Sequence, residues 1–242
     1  MKHYVAAIAL ILASFTARAA DPDVLWKFVH DKCVPGQMQA QDPKPCVEVS
    51  LADGVAVLKD INGIAQHLLI PTAKNTGMDD QAVLAPATPN YFAAAWKARH
   101  FMDGKLGKTL PRDAISLAIN SVSGRTQNQL HIHIDCVRPD VRAVLHGQSA
   151  DHWASVKMPG GNSYKVRQIV GSDLEAVNPF LLLAREQPDS VADYAHHTLV
   201  AVGAVLPDGR EGFYLLDDHA DLATLDRASG EELQDHGCEV AK

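Results

Sequence analysis

Seven residues near the middle of the chain, Gln129-Leu130-His131-Ile132-His133-Ile134-Asp135, alternate polar and apolar without a break. Successive side chains leave a strand on opposite faces, so this period of two predicts a strand with one face buried. Taken from Gln129 to Val137, the strand sends Leu130, Ile132 and Ile134 into a core. Gln129, His131, His133 and Asp135 then share the other face. Two imidazoles at i and i+2 on a rigid strand suit nucleophilic or acid–base work near neutral pH. Two readings compete with that one. The histidines are surface residues without a role, or they bind zinc with a distant third ligand such as Asp135. No spacing in the sequence is diagnostic of zinc.

The flanking segments alternate between element types. Asp23 to Asp31 reads as a short helix. Val55 to Asp60 and Ala65 to Ile70 are apolar runs around Asn62-Gly63, a strong hairpin signal because both residues tolerate positive φ. Residues 72 to 87 are polar and irregular. Thr88 as N-cap and Pro89 at the first position predict a helix that carries Phe92, Ala95 and Trp96 on one face and ends at Gly104 and Gly107. Ala114 to Ile119 is a strand that can be buried on both faces, and the polar loop Asn120 to Asn128 leads into Gln129. Beyond Arg138-Pro139-Asp140 come a helix over Val141 to Gly147 and a Pro159-Gly160-Gly161 turn into a strand, Tyr164 to Ile169. A helical stretch from Asp173 is interrupted at Asn178-Pro179. A second hairpin runs from His197 to Val205 and from Gly212 to Leu216, and Asp226 to Asp235 is a terminal helix. There is no repeat and no βαβ rhythm, so the fold class is α+β. Helical spacing assigns Tyr91, Phe92, Trp96 and Phe180 to Leu183 to the core rather than to a ligand.

Of 242 residues, 47% are hydrophobic and 21% charged, which suffices for one sizeable core. A net charge of −7 argues against a nucleic-acid partner, which needs a basic field. Residues 1–19 read as a signal peptide. Lys2 and His3 precede an apolar run from Tyr4 to Phe15, and Ala17-Arg18-Ala19 has the small-x-small pattern of a cleavage site. The run falls short of the about 20 apolar residues of a membrane-spanning helix, and an uncleaved amino-terminal anchor is the alternative. Both readings export the body, residues 20–242, as a single domain. Four cysteines in an exported chain suggest two disulfides. Cys33 and Cys46 flank a Pro- and Gln-rich stretch without apolar periodicity and suit a local staple. Three connectivities are open, and that staple leaves Cys136 for Cys238.

Gln129-Leu-His-Ile-His-Ile-Asp135 resembles the histidine-triad signature, with Gln in place of the first His. Further segments are similar to the CDP-diacylglycerol pyrophosphatase family within that superfamily: Leu58-Lys-Asp-Ile-Asn-Gly63, Ser116-Leu-Ala-Ile-Asn-Ser121, Arg125-Thr-Gln-Asn128, Cys136-Val-Arg-Pro-Asp-Val-Arg142 and Asp235-His-Gly-Cys-Glu239. Together they run from about residue 30 to the end of the chain. The resemblance implies a histidine-triad-like antiparallel sheet with flanking helices, extended by a carboxy-terminal α/β portion. It implies hydrolysis of CDP-diacylglycerol to CMP and phosphatidate through a nucleotidyl-histidine at His131. His133 would hold phosphate, with Gln129, Arg125, Thr126, Asn120 and Lys74 as further substrate-binding residues. No cofactor or metal is implied. The substrate is then a liponucleotide, the location periplasmic at or anchored to the inner membrane, and a homodimer is compatible with the superfamily. A zinc-dependent phosphoester hydrolase and a non-catalytic nucleotide- or lipid-binding module remain the alternatives.

Overall fold

The computed structural model describes residues 21–242, so the signal peptide or anchor expected over residues 1–19 lies outside the described residues. A ten-stranded sheet organises the chain, and every neighbouring pair of strands in it is antiparallel. Its strands are β1 (Glu48–Ser50), β2 (Val55–Lys59), β3 (His67–Pro71), β4 (Ile115–Ile119), β5 (Ile132–Val137), β6 (Ala154–Lys157), β7 (Ser163–Val170), β8 (His197–Val205), β9 (Glu211–His219) and β10 (Gln234–Asp235). The order is β1-β2-β3-β5-β4-β8-β9-β7-β6, with β10 added to the far end of β5. The carboxy-terminal half enters the same sheet as two hairpins, β6–β7 and β8–β9. The class is α+β.

Both faces of the sheet are covered, and unequally. One face carries the main core, in which α3 (Tyr91–Ala98) and α6 (Pro179–Glu186) lay Phe92, Trp96 and Phe180 over Leu117, Ile132, Ile134, Leu199 and Phe213. These helical aromatics are packed away from solvent, as their spacing requires. The opposite face carries two smaller cores. In one, α5 (Pro139–Leu145) packs Val141 and Leu145 against Ala118, Val200 and Tyr214. In the other, α1 (Val24–Phe28) continues through a π-helical turn, Val29–Cys33, and packs Leu25 and Val29 against Ala56, Leu58, Leu68 and Ile70.

Several local expectations are corrected. The helix over 91–98 is capped by Asn90, whose side chain accepts a hydrogen bond from the Ala93 N–H, and not by Thr88. It breaks at Arg99, after which α4 (His100–Leu106) ends at the left-handed Gly107, φ 69°. The stretch after Cys33 is helical: α2 (Val34–Ala40) continues directly from the π-helical turn, with Cys33 and Val34 both in the helical conformation. Asn178-Pro179 starts a helix instead of interrupting one, with the Asn178 side chain accepting from the Phe180 N–H. Residues 226–235 do not form the terminal helix expected of them. They hold a 3₁₀ turn, Gly230–Leu233, and then β10. Here a Cβ on Gly230 would meet Val200 Cγ2 at 2.6 Å and Thr198 Oγ1 at 2.8 Å. Only glycine lets this backbone lie directly on the sheet, and the sheet dictates its path.

Both disulfides form as expected, Cys33–Cys46 and Cys136–Cys238. They mark a protein that works outside the cytoplasm. The second ties the carboxy terminus to β5 across a sequence separation of 102. In the chain-entropy model, a loop of that size is worth about 4 to 5 kcal/mol. Cys136→Ala with Cys238→Ala should therefore move the denaturation midpoint more than Cys33→Ala with Cys46→Ala, whose separation is 13 and whose loss should cost about 3 kcal/mol. Equal midpoints in urea would contradict this ordering.

Candidate active site

The alternation of the central motif holds, although the ladder begins three residues later than Gln129. The Leu130 N–H donates to the Asn75 carbonyl at 2.6 Å, outside the sheet, and β5 is paired only from Ile132. Leu130, Ile132 and Ile134 enter the main core. His133 faces the other way. Its cross-strand partners are Leu68 on β3 and Ala118 on β4, which belong to the two separate small cores of that face. The histidines therefore stand in the gap between those cores. That gap is a cleft of about 260 Å³.

The two rings are edge to face, 4.8 Å between centroids, and both are almost fully buried. His131 Nδ1 lies 2.7 Å from the carbonyl of Gln129. A carbonyl only accepts, so Nδ1 carries the proton and Nε2 keeps a lone pair on the cleft side. Burial pushes the His131 pKa below its ordinary value. That carbonyl bond, Glu231 and Asp60 oppose the shift without cancelling it. His133 is pushed down further, first by burial and then by the charges of His131 and His236. Both rings are neutral at pH 7.

His133 has two different neighbours at the same nitrogen. The Gln66 amide nitrogen and a Glu231 carboxylate oxygen are each 3.1 Å from Nδ1. A bare Nδ1 accepts from Gln66, and a protonated one donates to Glu231. The site thus holds a seat for the proton that would make this ring an imidazolium. On the far side, His133 Nε2 is buried without a partner among the described residues.

Glu231 is held in turn. Asn120 Nδ2 donates to its carboxylate at 2.6 Å, and Asn120 Oδ1 accepts from the Glu231 N–H at 3.4 Å. Gly230, pressed onto the sheet, delivers this carboxylate to the histidine. Beneath the pair, buried Asp135 accepts from His236 Nδ1 at 2.7 Å. That bond raises the His236 pKa, while burial raises that of Asp135 against it.

The remaining expected site residues separate into two groups. Asn120 and Thr126 line the cleft with His131 and His133. The hydrogen bonds of the loop run from Gly124 and Arg125 to Ser121 and from Asn128 to Pro22. The intervening N–H groups of Thr126 and Gln127 have no partner within the described protein. Gln129, Arg125 and Lys74 are not brought to the cleft. The Gln129 amide is saturated: Nε2 donates to the carbonyls of Pro71 and Ala73, and Oε1 accepts from the Asn75 N–H. It clamps the loop after β3. Arg125 is buried in a two-pronged pair with Asp79, at 2.5 and 3.1 Å. Lys74 is exposed and lies outside the lining. Lys59 supplies a cation to the cleft instead, and its pKa is lowered by burial.

Glu231, Gln66 and Lys59 were not singled out from the sequence. Lys59 and His236 lie within segments that carry the family resemblance. Glu231 has no local signal, because its neighbour across the site is nearly 100 residues away in sequence. Among the described residues, no group of three or more His, Cys, Asp or Glu side chains is arranged to hold a metal ion.

The cleft has a mixed lining. Lys59, Asp60, Asn62, Asn120, Thr126, Gln127, the two histidines and Glu231 are its polar side chains. Val24, Leu25, Phe28, Leu58, Ile61 and Leu68 form its apolar wall. A neutral imidazole with an uncommitted Nε2, in a cleft lined by both polar and apolar side chains, is the arrangement of a hydrolase for phosphorylated substrates with an apolar part. Comparison with known proteins narrows the class. The family model for CDP-diacylglycerol pyrophosphatase matches residues 20–242. A CDP-diacylglycerol pyrophosphatase of Yersinia pestis is 45% identical over 242 residues, covering 96% of this chain and 92% of the relative. The chain belongs to the CDP-diacylglycerol pyrophosphatase family.

The depressed histidine pKa values set a sign for stability. Below the ordinary value of 6.5, the unfolded chain takes up protons that the native cleft refuses. Acidification from about pH 7 to about pH 5 therefore destabilises the native state through these two groups. The double variant His131→Asn, His133→Asn lacks both and should lose less thermal midpoint over that interval than the unaltered chain. Parallel melting curves from differential scanning fluorimetry would refute the assignment of both rings as buried and neutral.

Proposed function

We propose that the chain hydrolyses the diphosphate bond of CDP-diacylglycerol, releasing CMP and phosphatidate, with His131 as nucleophile. The supporting observation is the fixed tautomer: Nδ1 is committed to the Gln129 carbonyl, and the Nε2 lone pair is left for the cleft. The family match and the name of the Yersinia relative support the substrate.

Nε2 attacks the phosphorus that bears cytidine. The bond from that phosphorus to the bridging oxygen breaks, and its electron pair leaves with phosphatidate. Water then attacks the nucleotidyl-histidine and releases a proton to solvent, the P–N bond breaks, its electron pair returns to Nε2, and CMP departs. Phosphatidate leaves as a stabilised anion, so the first step needs no strong general acid. A glutamine spent on a loop clamp is compatible with such a reaction. The N–H groups of Thr126 and Gln127 and the Thr126 hydroxyl are donors for the diphosphate oxygens, and Lys59, whose ammonium is held by the carbonyls of Asp60, Asn62 and Gly63, adds positive charge. His133 Nε2 adds another. When the diphosphate brings its negative charge, a proton on His133 is stabilised from both sides, by phosphate at Nε2 and by Glu231 at Nδ1. Glu231 is thus a positioning residue acting through His133. The apolar wall takes the glycerolipid end. The signal-like residues 1–19 and the two disulfides support a periplasmic location, with the substrate drawn from the inner membrane. Among the described residues, no helix is long and apolar enough to cross a membrane.

Acid quenching of a reaction with cytidine-labelled substrate should trap label on His131 as a phosphoramidate. His131→Ala should lose activity by about ten-thousandfold or more and trap nothing. Chelation should leave the rate unchanged. Because the nucleophile must be neutral and its pKa is depressed, its protonation should make kcat/KM fall on the acid side of 6.5. Glu231→Gln should lower kcat by about tenfold to a hundredfold, with KM less affected, and should alter that acid limb. Tight binding of CDP-diacylglycerol without CMP release would overturn the proposal in favour of a binding module.

A further inference from the structure

The apolar lining of the cleft reaches the protein surface: Val24 and Phe28 of α1 and Ile61 all line it. Ile61 is 98% exposed, and Ile64, farther along the same β2–β3 loop, is 50% exposed. Single exposed aliphatic residues are ordinary, but two on one loop tip beside an apolar opening make a patch with a direction. The loop is tied in place. Lys59 Nζ donates to the carbonyls of Asp60 and Gly63, the Asn62 N–H to the Asp60 side chain, and the Ile64 N–H to the His236 carbonyl at 3.0 Å. Gly63 takes φ 63°, the left-handed conformation that turns the tip. The isoleucines are therefore presented on an ordered turn.

Two observations name the occupant. The chain upstream of Asp21 joins the fold at this same mouth. The Asp21 carbonyl accepts from Gln127 Nε2 at 3.1 Å, the Pro22 carbonyl accepts from the Asn128 N–H at 2.7 Å, and Gln127 lines the cleft. Twenty residues lie upstream, among them the apolar run from Tyr4 to Phe15. An apolar amino-terminal segment and the opening of the cleft thus start from one side of the molecule. An exposed cation borders the patch as well: Lys32 stands 4.8 Å over the ring of Phe28, whereas Lys27 on α1 is paired with Asp21. Aliphatic tips beside a lysine whose stem lies on apolar surface match a phospholipid headgroup layer.

We propose that loop 60–66 and α1 form a lip that seats in the surface of a phospholipid bilayer, led by Ile61 and Ile64. Acyl chains then pass from the bilayer to the cleft along Val24, Phe28 and Ile61 without crossing water. The acyl transfer rests on the lipid-substrate reading above, whereas the docking rests on the lip alone.

Ile64 lies outside the cleft lining, so Ile64→Asp separates docking from chemistry. In the full chain, its rate on long-chain CDP-diacylglycerol carried in phosphatidylethanolamine–phosphatidylglycerol vesicles should fall about tenfold, the scale of withdrawing one isoleucine from an apolar layer. Its rate on a short-chain, monomerically dissolved analogue should stay within about twofold. A second measurement does not use activity. Ile64→Trp should be quenched by bromine-labelled phosphatidylcholine vesicles beyond the quenching of the unaltered chain. Equal loss on both substrates, an unchanged vesicle rate, or no added quenching overturns the proposal. So does a chain that sediments as a dimer and becomes a monomer with Ile64→Asp, which would assign the lip to a second copy. If the unaltered chain cleaves neither substrate, the substrate reading fails and the quenching decides the docking by itself.

Discussion

Everything in this molecule is arranged around the two-sidedness of one strand. β5 gives Ile132 and Ile134 to the main core and, on the other face, stands where two smaller cores fail to meet. A sheet covered on both faces ordinarily has no room for ionisable groups, because a buried charge or unpaired polar atom costs several kcal/mol. Splitting the second layer into an α1 part and an α5 part makes that room. The cleft is the seam between two packing units, its floor is the most rigid element available, and its contents are fixed by strand register.

That placement sets the electrostatics. Burial keeps both rings neutral, which the proposed nucleophile needs and the proposed phosphate-holding cation does not. The two requirements are reconciled by giving the rings different second partners. A carbonyl oxygen locks His131 in one tautomer and cannot support a second proton transfer. A carboxylate beside His133 Nδ1 can support a charge once an anion arrives at Nε2. Two chemically identical side chains, 4.8 Å apart, are thereby given different proton chemistry by what lies behind them.

How much of this was legible in the sequence follows from the range of the interactions involved. The alternation of Gln129 to Asp135 is local, and it gave the faces of β5 correctly. So did the apolar spacing that placed Phe92, Trp96 and Phe180 in the core. The polar site was less legible, because a residue type does not declare its partner. Arg125 and Gln129 have the donors a phosphate site wants, yet Asp79 and the 71–75 backbone take them. Lys59 and Glu231 arrive by tertiary routes, one along a hairpin and the other by a glycine pressed onto the sheet. Capping at Asn90 instead of Thr88 is the same error at short range, since both residues can cap and only the helix direction chooses.

Glutamine at position 129, where the histidine-triad signature has a histidine, has a structural role compatible with the proposed chemistry. A histidine there would place a third imidazole beside two buried ones, deepening the repulsion that already depresses His133, and would leave the carbonyls of Pro71 and Ala73 without the amide that now satisfies them. Glutamine satisfies the loop and adds no charge. A general acid is most useful when the leaving group is a poor one, such as an alkoxide or an amine. A phosphate monoester leaves as a stable dianion or monoanion, so an enzyme that cuts an anhydride gains more from N–H donors around the oxygens than from a proton on the bridge. On the reading proposed above, the N–H groups of Thr126 and Gln127 and the glutamine clamp behind His131 are consistent parts of one solution: effort goes to the phosphoryl oxygens rather than to the leaving group, and Gln129 holds the backbone whose carbonyl fixes the His131 tautomer.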